Sequence, residues 1–95
     1  MNNLTEIDAN SILHPATNAD DFARNGSKII ESGKGIYLRD QSGQQLIDAV
    51  AGLWCVNVGY GREELAEAMQ KAAMELSYYH TFSGMSNRPQ IELAE

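Results

Sequence analysis

A chain of 95 residues, 43% hydrophobic and 7% aromatic, has room for at most one core and is too apolar for a disordered acidic tail. Its formal net charge of −6, unbroken by any cluster of Lys and Arg, repels phosphate backbones and anionic lipid, and this excludes nucleic acid and a membrane surface as partners. Cys55 is the only cysteine, the opening MNNLTEIDAN lacks a secretory pattern, and the apolar run from Ala49 to Val56 is far short of the roughly 20 residues of a spanning helix, so a soluble, cytoplasmic chain is expected.

Residues 1–24 read as an N-terminal arm, extended or in short helices, with His14-Pro15 disfavouring helix at His14. Residues 25–61 read as a β-meander and a loop. Asn25-Gly26 is a turn signal, and Ile36 and Leu38 alternate with Tyr37 and Arg39 in a strand reading GIYLRD. DQSG, from Asp40 to Gly43, has turn chemistry, and QQLIDAV supplies the next strand, completing a hairpin. Gly59, Tyr60 and Gly61 then turn the backbone tightly into a helix.

Residues 62–76 carry that helix. Leu65, Ala68, Met69, Ala72 and Leu76 recur at helical spacing, with Glu64, Glu67, Gln70, Lys71 and Glu75 on the other face. Gly61 takes the N-cap position in this reading, and Glu63 and Glu64 favour the first turn, where free N–H groups attract negative charge. Residues 77–95 bring Tyr78, Tyr79, His80 and Phe82 together and begin a second helix near Asn87, with Gln90 three positions on and Pro89 in the first turn. IELAE offers no helix-closing residue, so the chain is expected to be a fragment cut within that helix. A hairpin and an amphipathic helix both need a larger body to cover them.

Two phosphate-binding patterns fail on inspection. Gly59 and Gly61 begin a G-x-G-x-x-G whose third position is Glu64, a carboxylate that repels a pyrophosphate, and Gly26 to Lys34 has the wrong spacing for a P-loop, with Gly35 where Ser or Thr is needed. His14, Cys55 and His80 have no metal-ligand spacing. By residue type alone, Trp54 beside Leu53 reads as a core residue and Cys55 as a small, buried, inert hydrophobe.

Longer phrases carry more. GKGIYLRDQSGQQLIDAVAGLWCVNVGYGREELAEAM, then YYHTFSGMSN and IELAE, resemble the N-terminal region of class III aminotransferases, pyridoxal-phosphate enzymes of fold type I, and above all the ω-amino acid or amine:pyruvate subgroup. The resemblance covers about residues 13 to 95, and AGLWCVNVGYGR is its most specific part. It implies an α+β segment, a short β-meander plus helices, forming the N-terminal part of the small domain of an α/β transferase that works as a homodimer. It also implies that Leu53 and Trp54 line the substrate pocket, where a flat indole bounds an apolar amine substituent, and that Phe82 lies at the dimer interface near the neighbouring active site. Relatives often follow His-Pro with an aromatic residue that closes the large side of the pocket. Ala16 stands there in this chain, leaving either a roomier pocket or one that Phe22 fills from another direction.

Lys28 and Lys34 flank the first strand and Lys71 lies on the polar helix face, so none is offered the buried site that activates a cofactor-binding lysine. The resemblance places that lysine, its aspartate and the carboxylate-clamping arginine beyond Glu95, so no catalytic residue is expected here. The implied reaction passes an amino group from an amine or ω-amino acid to a keto acid such as pyruvate. A class III decarboxylase or aminomutase is the near alternative, and an inactive fragment or small acidic binding module the distant one.

Overall fold

The structure, a computed structural model, describes residues 3–95. It divides at Gly61/Arg62 into two compact units. The first holds helices α1 (Asn3–Ser11) and α2 (Ala19–Asn25) and strands β1 (Ile30–Lys34), β2 (Tyr37–Asp40) and β3 (Gln45–Ile47), followed by the loop to Gly61. The second holds helices α3 (Glu63–Leu76) and α4 (Arg88–Ala94), with a single short turn at Phe82–Gly84 between them.

The arm expected over residues 1–24 holds two short helices joined by a non-helical stretch at residues 12–18. Helix α2 is capped by Asn18, whose side chain accepts from the Asp21 amide at 3.0 Å, and is closed by Gly26, whose N–H reaches the Phe22 carbonyl at 2.8 Å. His14, kept out of helix by Pro15, binds the Asp8 carboxylate at 3.0 Å and packs against Phe22 with tilted rings whose centroids are 4.7 Å apart. Phe22 is therefore engaged with its own arm.

The three strands form one antiparallel sheet in the order β1-β2-β3. Gly33 faces Leu38 and Lys34 faces Tyr37 across β1 and β2, and the register shifts between Ile30 and Ser32, a bulge that leaves Glu31 unpaired. The turn after β2 is built as its chemistry predicts. Asp40 Oδ1 accepts from the Ser42 hydroxyl at 2.6 Å, the Ser42 amide at 3.0 Å and the Gln44 amide at 2.9 Å, while Oδ2 meets Lys28 Nζ at 3.3 Å. Strand β3 is shorter than QQLIDAV because Asp48 turns the chain, as described below.

Helix α3 has the bounds its periodicity predicts, but its N-cap is Arg62 and not Gly61. Gly61 has φ 69°, a left-handed conformation incompatible with the extended geometry of an N-cap, whereas Arg62 is extended at φ −76°, ψ 101°. The Arg62 guanidinium pairs with Glu64, and that contact holds the Glu64 carboxyl below its usual pKa. Helix α4 starts as expected, with the Asn87 side chain accepting from the Gln90 amide at 3.1 Å.

Among the described residues no apolar side chain is buried; Thr5 and Asp40 are the buried residues. The apolar stripe of α3 lies open, with Leu65 45% and Met69 73% exposed. A stripe of this kind forms a stable helix only when something covers it.

Candidate functional site

The loop from Asp48 to Gly61 is held by a connected set of hydrogen bonds. Ala51, Gly52, Leu53 and Trp54 all have positive φ, at 49°, 57°, 66° and 70°, so the backbone makes one turn of left-handed helix. Trp54 N donates to the Val50 carbonyl and Cys55 N to the Ala51 carbonyl, both at 2.9 Å, closing the turn. Left-handed geometry costs an L-residue about 1–2 kcal/mol, and Ala, Leu and Trp have no local means of offsetting it. The surrounding contacts must therefore hold the turn.

Asp48 is the chief of these contacts. Its Oδ1 accepts from the Val50 amide at 3.1 Å, and its Oδ2 from the Gly52 amide at 2.7 Å and the Tyr60 hydroxyl at 2.5 Å. The Tyr60 hydroxyl, followed by the Gly52 and Val50 amides, keeps the Asp48 carboxyl below its ordinary pKa against a desolvation penalty, and the same bond pushes the Tyr60 phenol up. Tyr60 is itself anchored to the sheet. Its amide reaches the Gly35 carbonyl at 2.8 Å, its carbonyl accepts from the Gly35 amide at 2.9 Å, and its ring lies so close to Gly33 that a Cβ there would sit 2.7 Å from Cγ.

The turn presents Leu53 and Trp54 side by side, 73% and 86% exposed. Trp54 is not a core residue within this chain. Cys55, expected to be buried, is exposed as well, in a segment where no described apolar side chain is buried; its Sγ lies 3.4 Å from the Leu53 carbonyl oxygen. Ala16 is in the turn between α1 and α2, also exposed and with φ 51°. Phe82 belongs to the second unit, 78% exposed, where its amide donates to His80 Nδ1 at 3.2 Å and Tyr79 stacks on His80 at 4.5 Å. The hollow on the sheet lined by Gly33, Tyr37 and Gln45 includes none of Ala16, Leu53, Trp54 and Phe82.

Residues 21–95 match the family model for class-III aminotransferases, and the chain belongs to that family. Among curated relatives it is 48% identical to the diaminobutyrate–2-oxoglutarate transaminase of Halomonas elongata over 97% of this chain and 20% of the relative. It is 43% identical to the putrescine–pyruvate aminotransferase of Pseudomonas aeruginosa over 87% of this chain and 18% of the relative. The ω-transaminase of Pseudomonas jessenii, solved in complex with PMP, superposes with a TM-score of 0.88 at 42% identity, covering 97% of this chain and 20% of that one. A thermostable ω-transaminase variant engineered for asymmetric synthesis of enantiopure bulky amines superposes at 0.87 and 41% identity, covering 95% of this chain and 20% of that one; it carries a Trp-to-Met, a Phe-to-Leu and an Arg-to-Leu replacement. The chain thus spans about a fifth of the length of the relatives it matches.

The cofactor of this family is pyridoxal phosphate, and the residues present do not fit it. Lys28 Nζ is engaged by Asp40 at 3.3 Å and Gln44 at 3.2 Å, and Lys34 and Lys71 are exposed on a strand and a helix, so none is a desolvated amine. What this segment offers is an exposed apolar pair, Leu53 and Trp54, on a hydrogen-bonded turn.

Proposed function

We propose that this chain is the N-terminal segment of a pyridoxal-phosphate aminotransferase that moves an amino group from an amine or ω-amino acid to a keto acid such as pyruvate. In this reading it forms part of the small domain of a cytoplasmic homodimer. Leu53 and Trp54 form one wall of the substrate pocket, Ala16 leaves space on its large side, and Phe82 lies at the dimer interface and approaches the neighbouring subunit's active site.

The observation that carries the reading is the left-handed turn. A strained turn held by a half-buried carboxylate and presenting a large aromatic outward is an expensive arrangement for mere packing, and strained backbone of this kind clusters at ligand sites. The engineered variant gives independent support. Its replaced Trp and Phe are separated by as many positions as Trp54 and Phe82, and that variant was engineered for the synthesis of bulky amines. The diaminobutyrate–2-oxoglutarate and putrescine–pyruvate relatives suggest the two acceptors to be tried, 2-oxoglutarate and pyruvate.

The test is an amino-transfer assay on a purified full-length chain carrying this segment, with a panel of aliphatic and aromatic amines against pyruvate and 2-oxoglutarate. Keto-acid-dependent consumption of an amine is expected. Release of carbon dioxide, or movement of the amino group within one molecule without a keto acid, would replace the reading with the decarboxylase or aminomutase alternative.

A further inference from the structure

We propose that Asp48 and Tyr60 are positioning residues that fix the aim of Trp54 and so set which amine substituents the site accepts. The inference rests on the pocket reading of Trp54 and adds residues that touch no substrate in it.

The argument begins from what the turn lacks. Of the four residues from Ala51 to Trp54 only Gly52 adopts positive φ without penalty, so the run has no intrinsic preference for the left-handed form. One carboxylate compensates: Asp48 accepts from the amides of Val50 and Gly52, at the entry and middle of the turn. Its own direction is fixed by the Tyr60 hydroxyl at 2.5 Å, and Tyr60 is fixed by two backbone hydrogen bonds to Gly35 and by its ring against Gly33. The hydroxyl also fills the space beside Gly52, where a Cβ would lie 2.9 Å from it. A continuous path therefore runs from the β1–β2 hairpin through Tyr60 and Asp48 to the backbone of Gly52, two residues before Trp54. Cutting it at the hydroxyl leaves the sheet contacts of Tyr60 in place and frees the carboxylate to rotate, so the turn gains access to the right-handed and extended forms its side chains prefer. Trp54 then samples other directions, and a wall that moves discriminates less.

The experiment is a double-mutant cycle of Tyr60→Phe and Trp54→Ala in a full-length enzyme carrying this segment. The readouts are the ratio of kcat/KM for a bulky aromatic amine to that for a small aliphatic one, and amide hydrogen exchange at Val50 and Gly52. Tyr60→Phe should change the ratio by roughly three- to tenfold, accelerate exchange at both amides, and leave the ratio unaltered when Trp54 is already Ala. A purely structural role would lower both rates in proportion. Should Tyr60→Phe fail to fold, Asp48→Asn, which keeps one acceptor oxygen, is carried through the same cycle with an intermediate shift expected. If Trp54→Ala changes the ratio while Tyr60→Phe alters neither ratio nor exchange, the positioning role is overturned and the pocket reading stands. If Trp54→Ala leaves the ratio unchanged, the pocket reading fails, and with it the claim that Asp48 and Tyr60 act on specificity, whatever the exchange shows.

Discussion

The loop from Asp48 to Gly61 and helix α3 are neighbours in the chain and opposites in how they are held. The loop contains its own explanation: each strained residue is answered by a hydrogen bond or a close contact within the same unit. Helix α3 contains none, since its apolar stripe is fully formed in sequence and exposed in space. A polar clasp can be completed by a few residues close together, whereas an apolar stripe is completed only by surface supplied from elsewhere. The loop should therefore behave alike in the 95-residue chain and in a full-length enzyme, and α3 should not.

The largest effect is expected where the two contexts differ. Leu65→Ala should cost about 2–5 kcal/mol in a full-length chain, where the stripe is covered, and close to nothing in the 95-residue chain. Denaturant unfolding of the first and helicity of the second decide it; equal small effects would mean that the stripe is never covered. Next comes a change whose cost should not depend on context. Gly33→Ala puts a Cβ 2.7 Å from Tyr60 Cγ and should cost about 1–3 kcal/mol while accelerating amide exchange at Gly35 and Tyr60. A neutral result would show that Tyr60 is not held against the sheet.

The smallest effect is electrostatic and lies in the hairpin. The Ser42 hydroxyl, then the Gln44 amide and Lys28, lower the Asp40 pKa from 3.8 to about 2. The folded turn prefers the ionised carboxylate, so this contribution is whole above the unfolded value of 3.8 and is lost as pH falls through about 2. Protection of the Ser42 and Gln44 amides should fade across that window and do so no longer in Asp40→Asn. Exchange measured from pH 5 to pH 2 checks this, and an unchanged profile in the variant would remove Asp40 as the cause.

The same contrast governs what the sequence disclosed. Helix α3, the Asp40 turn and the Asn87 cap were legible because each is written in local spacing or in one side chain bonding its near neighbours. The left-handed turn was not, since Ala51, Leu53 and Trp54 have no preference for positive φ and the residues that impose it, Asp48 and Tyr60, lie outside the turn. Cys55, read from its residue type as buried, is exposed in a segment where no described apolar side chain is buried. Leu53 and Trp54 were singled out through the family resemblance, which carried information that hydropathy alone assigned to a core. Sequence alone reads Tyr60 only as part of the turn into the helix and Asp48 only as part of a strand, although an Asp directly after an apolar strand and a Tyr between two glycines are available signals.

The central claim, that the turn exists to present Trp54 to substrate, is tested most directly by Trp54→Ala in a full-length enzyme carrying this segment. The quantity to measure is the ratio of kcat/KM for a bulky aromatic amine to that for a small aliphatic amine, with the melting temperature recorded alongside. Loss or release of an indole contact is worth about 1–3 kcal/mol, so the account predicts a change in that ratio of roughly ten- to a hundredfold at a nearly constant melting temperature. An equal fall in activity toward both amines, accompanied by a melting temperature lower by several degrees, would make Trp54 a packing residue of the full-length protein and contradict the account.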